Sequence, residues 1–384
     1  MQNMYYVYIF AQCFLLGGCM KQNLQWIKKY LLLSLSVCLL FLAGCSTNQD
    51  NNASNANNTR VITDTAGHQV TVKKDVNRLA VVPIPWASIV YAIDGSGSKI
   101  VGMHPSAKAS YEASLLKSLA PELGQANTQF VSKDFAINLE ESGKLNLDAM
   151  IVWDYQEKEL EQLKSVGIPA IALKYGTLED LQNGMLVVGQ LLNKEEQAQK
   201  LVDYHKESLK YFNSKQEALK NVKKPKVLYL YDQSLKVAAN GTVNNLMIEM
   251  AGGENAAKDV PGKWVNVTME QILEWNPDII ILSNFSNITP EDIKTNKFEG
   301  HNWSNVSAIK NNQVFKAPMG IYRWDAPSAE TPLMMKWMAQ KIQPTIFNDY
   351  EIKTEIKDFY HNFLKYDLND DELGNILQLK LNVN

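Results

Sequence analysis

An internal repeat limits the folds open to this chain more than any other feature of its sequence. Residues 138–154 (NLEESGKLNLDAMIVWD) and residues 268–284 (TMEQILEWNPDIIILSN) align without a gap at an offset of 130 positions. Four matched positions are identical: Glu140 and Glu270, Asn146 and Asn276, Asp148 and Asp278, and Ile151 and Ile281. Each copy predicts a helix, a tight Asn-x-Asp turn and a buried strand. The repeat therefore indicates two related α/β lobes.

Short apolar runs between helical patterns extend this prediction to the rest of the chain. Residues 78–83 (RLAVVP), 99–103 (KIVGM) and 227–231 (VLYLY) read as buried strands, and a long helical pattern separates the two halves. Such an alternation is typical of α/β folds with parallel strands. We predict an N-terminal lobe over residues 60–180, a helical connector over 181–222 and a C-terminal lobe over 226–384.

The N-terminal 59 residues have the pattern of an export signal and a tether. Lys21, Lys28 and Lys29 precede an apolar run that ends in Leu-Ala-Gly-Cys at 42–45, which looks like a bacterial lipobox. We therefore predict a signal peptide over residues 1–44 with its true start at Met20, lipidation of Cys45, and a disordered Asn-rich tether over 45–59. An uncleaved membrane anchor with an incidental cysteine is the alternative.

Composition and motifs exclude several classes of function. The formal net charge is −3, so the chain offers no basic face for nucleic acid. No cysteine follows Cys45, which excludes a disulfide framework or a zinc–thiolate site in the globular part. The sequence also lacks a Gly-x-Ser-x-Gly elbow, a His-Glu-x-x-His motif and a full dinucleotide fingerprint. We therefore do not expect an enzyme.

Three segments carry a resemblance to a known family. They are RLAVVPIPWASIVYAIDGSGSKIVGM at 78–103, the paired repeat units, and NNLMIEMAGGENAA followed by VPGKWVNVTMEQIL at 244–273. In order and spacing the chain resembles the substrate-binding proteins of ABC importers for ferric siderophores, haem and cobalamin (class III periplasmic binding proteins), from about Val61 to at least Pro344. The resemblance implies two Rossmann-like α/β lobes joined by a single long rigid helix, with the ligand in the cleft between them.

The resemblance also implies partners and a location. In the family each lobe offers an acid to arginines of the importer, and Glu140 and Glu270 occupy the matching places here; helix capping by these first-turn glutamates is the alternative. We expect a monomer that binds the permease dimer with its ATPase and a small-molecule ligand, but no nucleic acid. We expect it to be exported and held by its lipid on the outer face of the cytoplasmic membrane, at the cell surface or in a periplasm.

The candidate ligand contacts lie in loops that follow the predicted strands. In open parallel sheets, ligands bind beyond the carboxyl ends of the strands. The loops there are rich in aromatic residues, and Arg323 offers a planar fork to carboxylate or catecholate oxygens. His104 is placed where a neutral imidazole could complete the shell of a chelated metal. We predict contacts by Trp86, His104, Trp153, Tyr155, Trp264, Tyr322, Arg323 and Trp324.

The identity of the ligand stays open at this point. One arginine and several aromatics suit an anionic ferric siderophore, whereas His104 with Arg323 would also suit a nickel chelate such as nickel–histidine. Haem and cobalamin remain alternatives, and we expect no intrinsic cofactor. Capture of a bare divalent metal is disfavoured because it needs roughly three or four converging His and carboxylate ligands.

Overall fold

The computed structural model describes residues 58–382. The predicted signal peptide, the predicted lipidation site Cys45 and nearly all of the predicted tether lie outside that range. No helix within residues 58–382 is long and apolar enough to cross a membrane.

Strands and helices alternate along most of the chain. The strands are β1 (Thr59–Thr63), β2 (Gln69–Lys73), β3 (Leu79–Val81), β4 (Ile100–Met103), β5 (Ala149–Trp153), β6 (Ala170–Leu173), β7 (Lys226–Leu230), β8 (Lys236–Ala238), β9 (Glu254–Asn255), β10 (Trp264–Asn266), β11 (Ile279–Leu282) and β12 (Val314–Lys316). The helices are α1 (Trp86–Asp94), α2 (Pro105–Ala113), α3 (Leu116–Leu119), α4 (Leu139–Lys144), α5 (Glu157–Ser165), α6 (Leu178–Leu192), α7 (Glu195–Leu219), α8 (Val243–Met250), α9 (Met269–Trp275), α10 (Pro290–Lys294), α11 (Ser307–Lys310), α12 (Thr331–Ile342), α13 (Ile352–Leu364) and α14 (Asp370–Ile376).

Two separate sheets form the cores of the two lobes. The first has the order β4-β3-β5-β6 with every pair parallel, and β1 and β2 form an antiparallel hairpin beside it. The second has the order β10-β8-β7-β11-β12, with β9 paired to β7. The β8–β10 and β7–β8 pairs are antiparallel, and the β7–β11, β11–β12 and β7–β9 pairs are parallel. All residues of β5 and β11 are buried, as expected for parallel strands covered on both faces. The predicted α/β fold class is confirmed.

The repeat of the sequence is also a repeat of structure. Asn146 and Asn276 both adopt the left-handed conformation, with φ of 48° and 45°, at the end of α4 and α9. Two residues later, a carboxylate accepts a backbone N–H at the start of the neighbouring strand: Asp148 from Arg78 at 3.0 Å, and Asp278 from the first residue of β7 at 2.9 Å. The Asn-x-Asp turn therefore ties the helix and both central strands together in each lobe.

The segment 181–222, predicted as one connecting helix, contains parts of two helices. The first, α6, ends at Asn193, which adopts the left-handed conformation with φ of 57° and reverses the chain. The second, α7, has 25 residues and packs against α1 of the first lobe and against α8 and α12 of the second. Because α6 packs along α1 and α7, it belongs to the first lobe, and α7 alone joins the lobes.

Candidate ligand-binding cleft

A cavity of about 280 Å³ lies between the two lobes. It lies at the carboxyl ends of the parallel strands: its wall in the first lobe follows β3, β5 and β6, and its wall in the second follows β7 and β11. The remaining wall comes from β8, β10, the start of α8 and residues 325–327. This is the edge at which open parallel sheets place their ligands. The aromatic residues that line it are Trp86, Trp153, Tyr175, Tyr231, Trp264 and Phe285.

The aromatic side chains support one another in two groups, one on each lobe. In the first lobe the rings of Trp153 and Tyr175 have centroids 5.0 Å apart. In the second, Tyr231 stacks on Phe285 at 5.5 Å with an interplanar angle of 14°, and Trp264 meets the Tyr231 ring edge-on at 5.1 Å. Rings that contact one another are held in place, so the cavity has two firm apolar walls.

Three lysines give the cavity a positive charge. Lys174, Lys236 and Lys263 all line it, and among residues 58–382 none of the three lies within ion-pair distance of a carboxylate. The ammonium of Lys236 is 5.0 Å from the centroid of the Tyr231 ring. That of Lys263, in the second lobe, is 5.1 Å from the centroid of Tyr175 in the first. These cations are therefore available to an anionic ligand, and Lys263 reaches across the cleft.

Two helix N-termini add to this positive potential. Helix α1 begins at Trp86 and α8 begins at Val243, and both residues line the cavity. Neither helix has an acidic residue in its first turn. The backbone N–H groups at a helix N-terminus carry a partial positive charge, which attracts anions. The helix ends and the lysines thus favour the same kind of ligand.

One buried carboxylate also lines the cavity. The Asp325 side chain is 2% exposed. Its Oδ2 accepts the hydroxyl of Ser283 and, at 2.9 Å, the backbone N–H of Asn284. Its Oδ1 has no hydrogen-bond partner within the described range. Burial raises the pKa of Asp325, and its two hydrogen bonds and the guanidinium of Arg323 act in the opposite direction.

Arg323 supports the cavity wall and does not line the cavity. Its Nε donates to the carbonyl of Asn284 at 2.9 Å, and its guanidinium carbon lies 4.8 Å from the centroid of the Phe285 ring. Its Nη1 donates to the hydroxyl of Ser110 in the first lobe. The predicted contact is thus placed behind Phe285, where the guanidinium bridges the two lobes.

The other predicted aromatic contacts divide into three groups. Trp86, Trp153 and Trp264 line the cavity. Tyr155 is 60% exposed and stacks on the outer side of Trp153 at 6.2 Å.

Tyr322 and Trp324 are buried and do not line the cavity. The reason is a tight turn in which Met319 and Arg323 form an antiparallel bridge and the buried carboxylate of Glu330 accepts the N–H of Tyr322 at 3.1 Å. The predicted contact loop at 319–324 therefore points into the lobe, and the residues that follow it reach the cleft.

His104 is completely buried and does not line the cavity. Its Nδ1 accepts the backbone N–H of Ser106 at 3.0 Å, so the ring caps the start of α2, and it packs on Phe135 at 4.6 Å. Burial lowers the pKa of the imidazole. This placement contradicts the predicted ligand contact and metal ligation by His104. Within residues 58–382 no three His, Cys, Asp or Glu side chains converge as a metal site would require.

The charged residues of the cavity were missed by the sequence analysis. Lys174 directly follows the short apolar run AIAL of β6, so its position was a usable signal. Lys236 and Lys263 lie in or next to β8 and β10, short antiparallel strands with no clear sequence pattern. Asp325 adjoins the predicted Arg323, but its burial could be known only from the packing.

The two glutamates predicted to contact an importer lie at equivalent, exposed places. Glu140 is in the first turn of α4, with its side chain 81% exposed and 2.9 Å from the ammonium of Lys144. Glu270 is in the first turn of α9 and is exposed. Hydrogen bonds from its own backbone N–H and from Thr268 lower the pKa of Glu270. Both carboxylates are therefore available to a partner.

Two α/β lobes, one helix joining them and a cleft between them define a two-lobed binding protein for a small solute. The chain matches the model of the periplasmic binding protein family over residues 89–319, more than half of its length, and it belongs to that family. Members of this class bind solutes outside the cytoplasm for ABC importers and are not enzymes.

Several known proteins resemble the chain over most of its length. A crystal structure of a periplasmic solute binding protein from Veillonella parvula is 57% identical, with a TM-score of 0.82 over 85% of this chain and 98% of that one. The molybdate-binding protein MolA of Haemophilus influenzae is 26% identical over 80% of this chain and 91% of its own. The uncharacterized ABC transporter substrate-binding lipoprotein YvrC of Bacillus subtilis is 24% identical over 82% of this chain and 97% of its own.

Proposed function

We propose that the protein captures a small anionic ligand that contains a metal, either an oxyanion or a metal chelate, and delivers it to an ABC importer. The observation that carries the proposal is the cavity itself, where aromatic walls are surrounded by two helix N-termini and by three lysines that have no carboxylate partner within residues 58–382. Fixed positive charges in a cleft with apolar walls attract anions, and their interaction with an anion is stronger there than between the same charges in bulk water. The molybdate named for MolA belongs to this class of ligand.

The size of the cavity narrows the class further. Its volume of about 280 Å³ lies just below the roughly 300–1,000 Å³ that is typical of small-molecule pockets. We therefore favour small ligands over haem and cobalamin, which are larger. Ferric citrate, which is anionic, nickel–histidine, which is neutral but presents carboxylates, and compact oxyanions are the small candidates. The iron-chelate hypothesis is retained in this narrower form.

We further propose how the protein is attached to the membrane and which proteins it binds. Lipidation of Cys45 would attach it to the outer face of the cytoplasmic membrane, and the name of YvrC as a lipoprotein supports this. Its partners would be the permease dimer and the associated ATPase, which a monomer would contact through Glu140 and Glu270. The matched exposure of these two carboxylates on equivalent helices supports the docking role.

Tryptophan fluorescence tests the ligand proposal, because Trp86, Trp153 and Trp264 line the cavity. Soluble protein beginning at Ser46 is titrated with molybdate, ferric citrate, nickel–histidine, haem and cobalamin. We expect saturable quenching by a small anion, weakened by added salt and weakened about tenfold by Lys263→Ala, since one charge-assisted contact contributes on the order of 1.5 kcal/mol.

The matched control is an exposed lysine on α7, Lys206, changed to alanine. This variant removes the same charge at a distance from the cavity, so it should bind like the wild type. Equal losses in both variants, or tightest binding by haem or cobalamin, would contradict the proposed ligand class.

Reconstitution with the permease and ATPase tests the docking proposal. Glu140→Ala and Glu270→Ala should each reduce the ligand-dependent stimulation of ATP hydrolysis while leaving ligand quenching unchanged. Glu196→Ala, which removes an 84% exposed carboxylate from α7, serves as the control. A loss of thermal stability with unchanged stimulation would show that the two glutamates only cap their helices.

A further inference from the structure

The contact between Lys263 and Tyr175 joins the two lobes at the edge of the cleft. We infer that Tyr175 is a positioning residue: across the closed cleft its ring holds the ammonium of Lys263 over the ligand, and this contact breaks before the ligand leaves. This role rests on the proposed function, because it concerns the same cavity. It makes the two residues a determinant of how fast a bound anion is released.

Solvent exposure identifies the mouth of the cavity. Among the lining residues, segment 174–177 of the first lobe and Lys263 of the second are exposed. Trp86 and Asp325, which line the cavity as well, are almost completely buried. Tyr175 is 49% exposed, so its ring and the side chain of Lys263 meet where the cavity opens to solvent.

Each partner is fixed to its own lobe. The ring of Tyr175 packs on the buried Trp153 at the end of β5, with 5.0 Å between the ring centroids. The backbone carbonyl of Lys263 accepts the N–H of Ala239, next to β8, at 2.8 Å. The distance between ring and ammonium therefore increases when the lobes move apart, and a cation–π contact is lost beyond about 6 Å.

A second contact of the same kind lies within one lobe. The ammonium of Lys236 is 5.0 Å from the centroid of the Tyr231 ring, and both residues belong to the second lobe. Opening of the cleft leaves that pair together. Among the hydrogen bonds, ring contacts and cation–π contacts of the cavity-lining side chains within residues 58–382, the contact between Lys263 and Tyr175 is the one that crosses the cleft.

An aromatic ring suits this position better than an acid does. A carboxylate at position 175 would also hold the ammonium of Lys263, but it would neutralise the charge and repel an anionic ligand. A tyrosine ring attracts the cation through its quadrupole and carries no net charge. The ammonium therefore stays available to the ligand while it connects the lobes.

Stopped-flow tryptophan fluorescence measures the release of molybdate and of ferric citrate from protein beginning at Ser46. Tyr175→Leu should raise the dissociation rate constant about three- to tenfold, as expected for the loss of a partly exposed cation–π contact. Tyr175→Phe keeps the ring and should stay within about twofold of the wild type. The control Tyr155→Leu removes an exposed tyrosine from the outer side of Trp153 and should also stay within about twofold.

A double-variant comparison separates this contact from a direct effect of the ring on the ligand. In a Lys263→Met background, Tyr175→Leu should change the dissociation rate constant by less than about twofold, because no ammonium is left for the ring to hold. An equal acceleration in both backgrounds would show that the ring acts on the ligand independently of Lys263, and the inference would be wrong. A rate constant that Tyr175→Leu leaves unchanged would contradict it as well.

A measurement without ligand separates this inference from the proposed function. No cysteine follows Cys45, so Lys158→Cys on α5 and Glu291→Cys on α10 place one spin label on each lobe. Double electron–electron resonance should show longer and broader distances between the labels in Tyr175→Leu than in the wild type or Tyr175→Phe. Equal distances in all three would overturn the inference. The expected distances, together with no binding of any small anion, would refute the proposed function alone.

Discussion

Two buried titratable groups at the junction of α7 and the second lobe should have opposite effects on stability. The carboxylate of Glu330 accepts the hydroxyl of Tyr360 at 2.7 Å and the N–H of Tyr322 at 3.1 Å. Burial raises the pKa of Glu330 to about 7. The Nε2 of His205 lies 3.1 Å from the carbonyl of Ala329, and burial lowers the pKa of His205 to about 4.

The signs of the two effects follow from linkage between protonation and folding. For Glu330 the ordinary pKa is 4.5, so its contribution to the free energy of unfolding is full below pH 4.5 and is lost as pH rises towards 7. For His205 the ordinary pKa is 6.5, so its contribution is full above pH 6.5 and is lost as pH falls towards 4. At about 1.4 kcal/mol per pKa unit, each amounts to about 3 kcal/mol. In the wild type the two nearly cancel over the shared window.

Urea unfolding at a series of pH values between about 4.5 and 7 measures these contributions separately. With Glu330→Gln, His205 is the one of the two that still titrates, and relative to the wild type the free energy of unfolding should rise with pH by roughly 3 kcal/mol more. With His205→Gln, Glu330 still titrates, and relative to the wild type the free energy of unfolding should fall with pH by a similar amount. The comparison concerns slopes, so a constant loss of stability in either variant does not affect it. Variants that keep the pH dependence of the wild type, or share one sign of slope, would refute the reasoning.

Three further substitutions test particular contacts. A Cβ at Gly184 would lie 2.4 Å from the Trp86 ring. Gly184→Ala should therefore lower the free energy of unfolding by about 1–3 kcal/mol and weaken ligand quenching. The control Gly143→Ala, whose Cβ would have no described neighbour within 4 Å, should do neither. The ammonium of Lys316 donates to three backbone carbonyls in the 283–288 loop, so Lys316→Met should cost about 3 kcal/mol in urea unfolding, and an unchanged midpoint would contradict that role. Asn276 is left-handed, so Asn276→Val should lower thermal stability by about 1–2 kcal/mol.

The fold was largely predictable because its signals are local. An apolar run bounded by turn residues, repeated with helical patterns between, indicates parallel α/β units wherever it occurs. The Asn-x-Asp turns at 146–148 and 276–278 show why such a signal is reliable. The left-handed position favours asparagine, and the position that accepts a backbone N–H from the neighbouring strand favours aspartate. The helical connector was harder, since the reversal at Asn193 depends on a single residue within a continuous helical pattern.

The candidate site was only partly predictable, because proximity in sequence does not give the direction of a side chain. Trp86, Trp153 and Trp264 reach the cavity, as expected from their places after strands or beside the cleft. Arg323 lies outside the cavity lining, and its guanidinium packs on the ring of Phe285 instead. His104 follows a strand in the same way as Trp86, but its ring turns inward to cap α2.

The amino-acid pattern alone thus establishes the class of this protein: two repeated α/β lobes, a helical connector and a cleft at the carboxyl ends of the strands. Only the tertiary structure shows the charge of that cleft. Lys174 comes from one lobe and Lys236 and Lys263 from the other, more than 60 positions along the chain, and they meet only when the lobes face each other. The unpartnered oxygen of Asp325 is likewise a product of packing. Secondary structure follows from residues that are close in the sequence. The electrostatic potential of a cleft, in contrast, is the sum of charges from residues far apart in the sequence, which come together only when the chain folds.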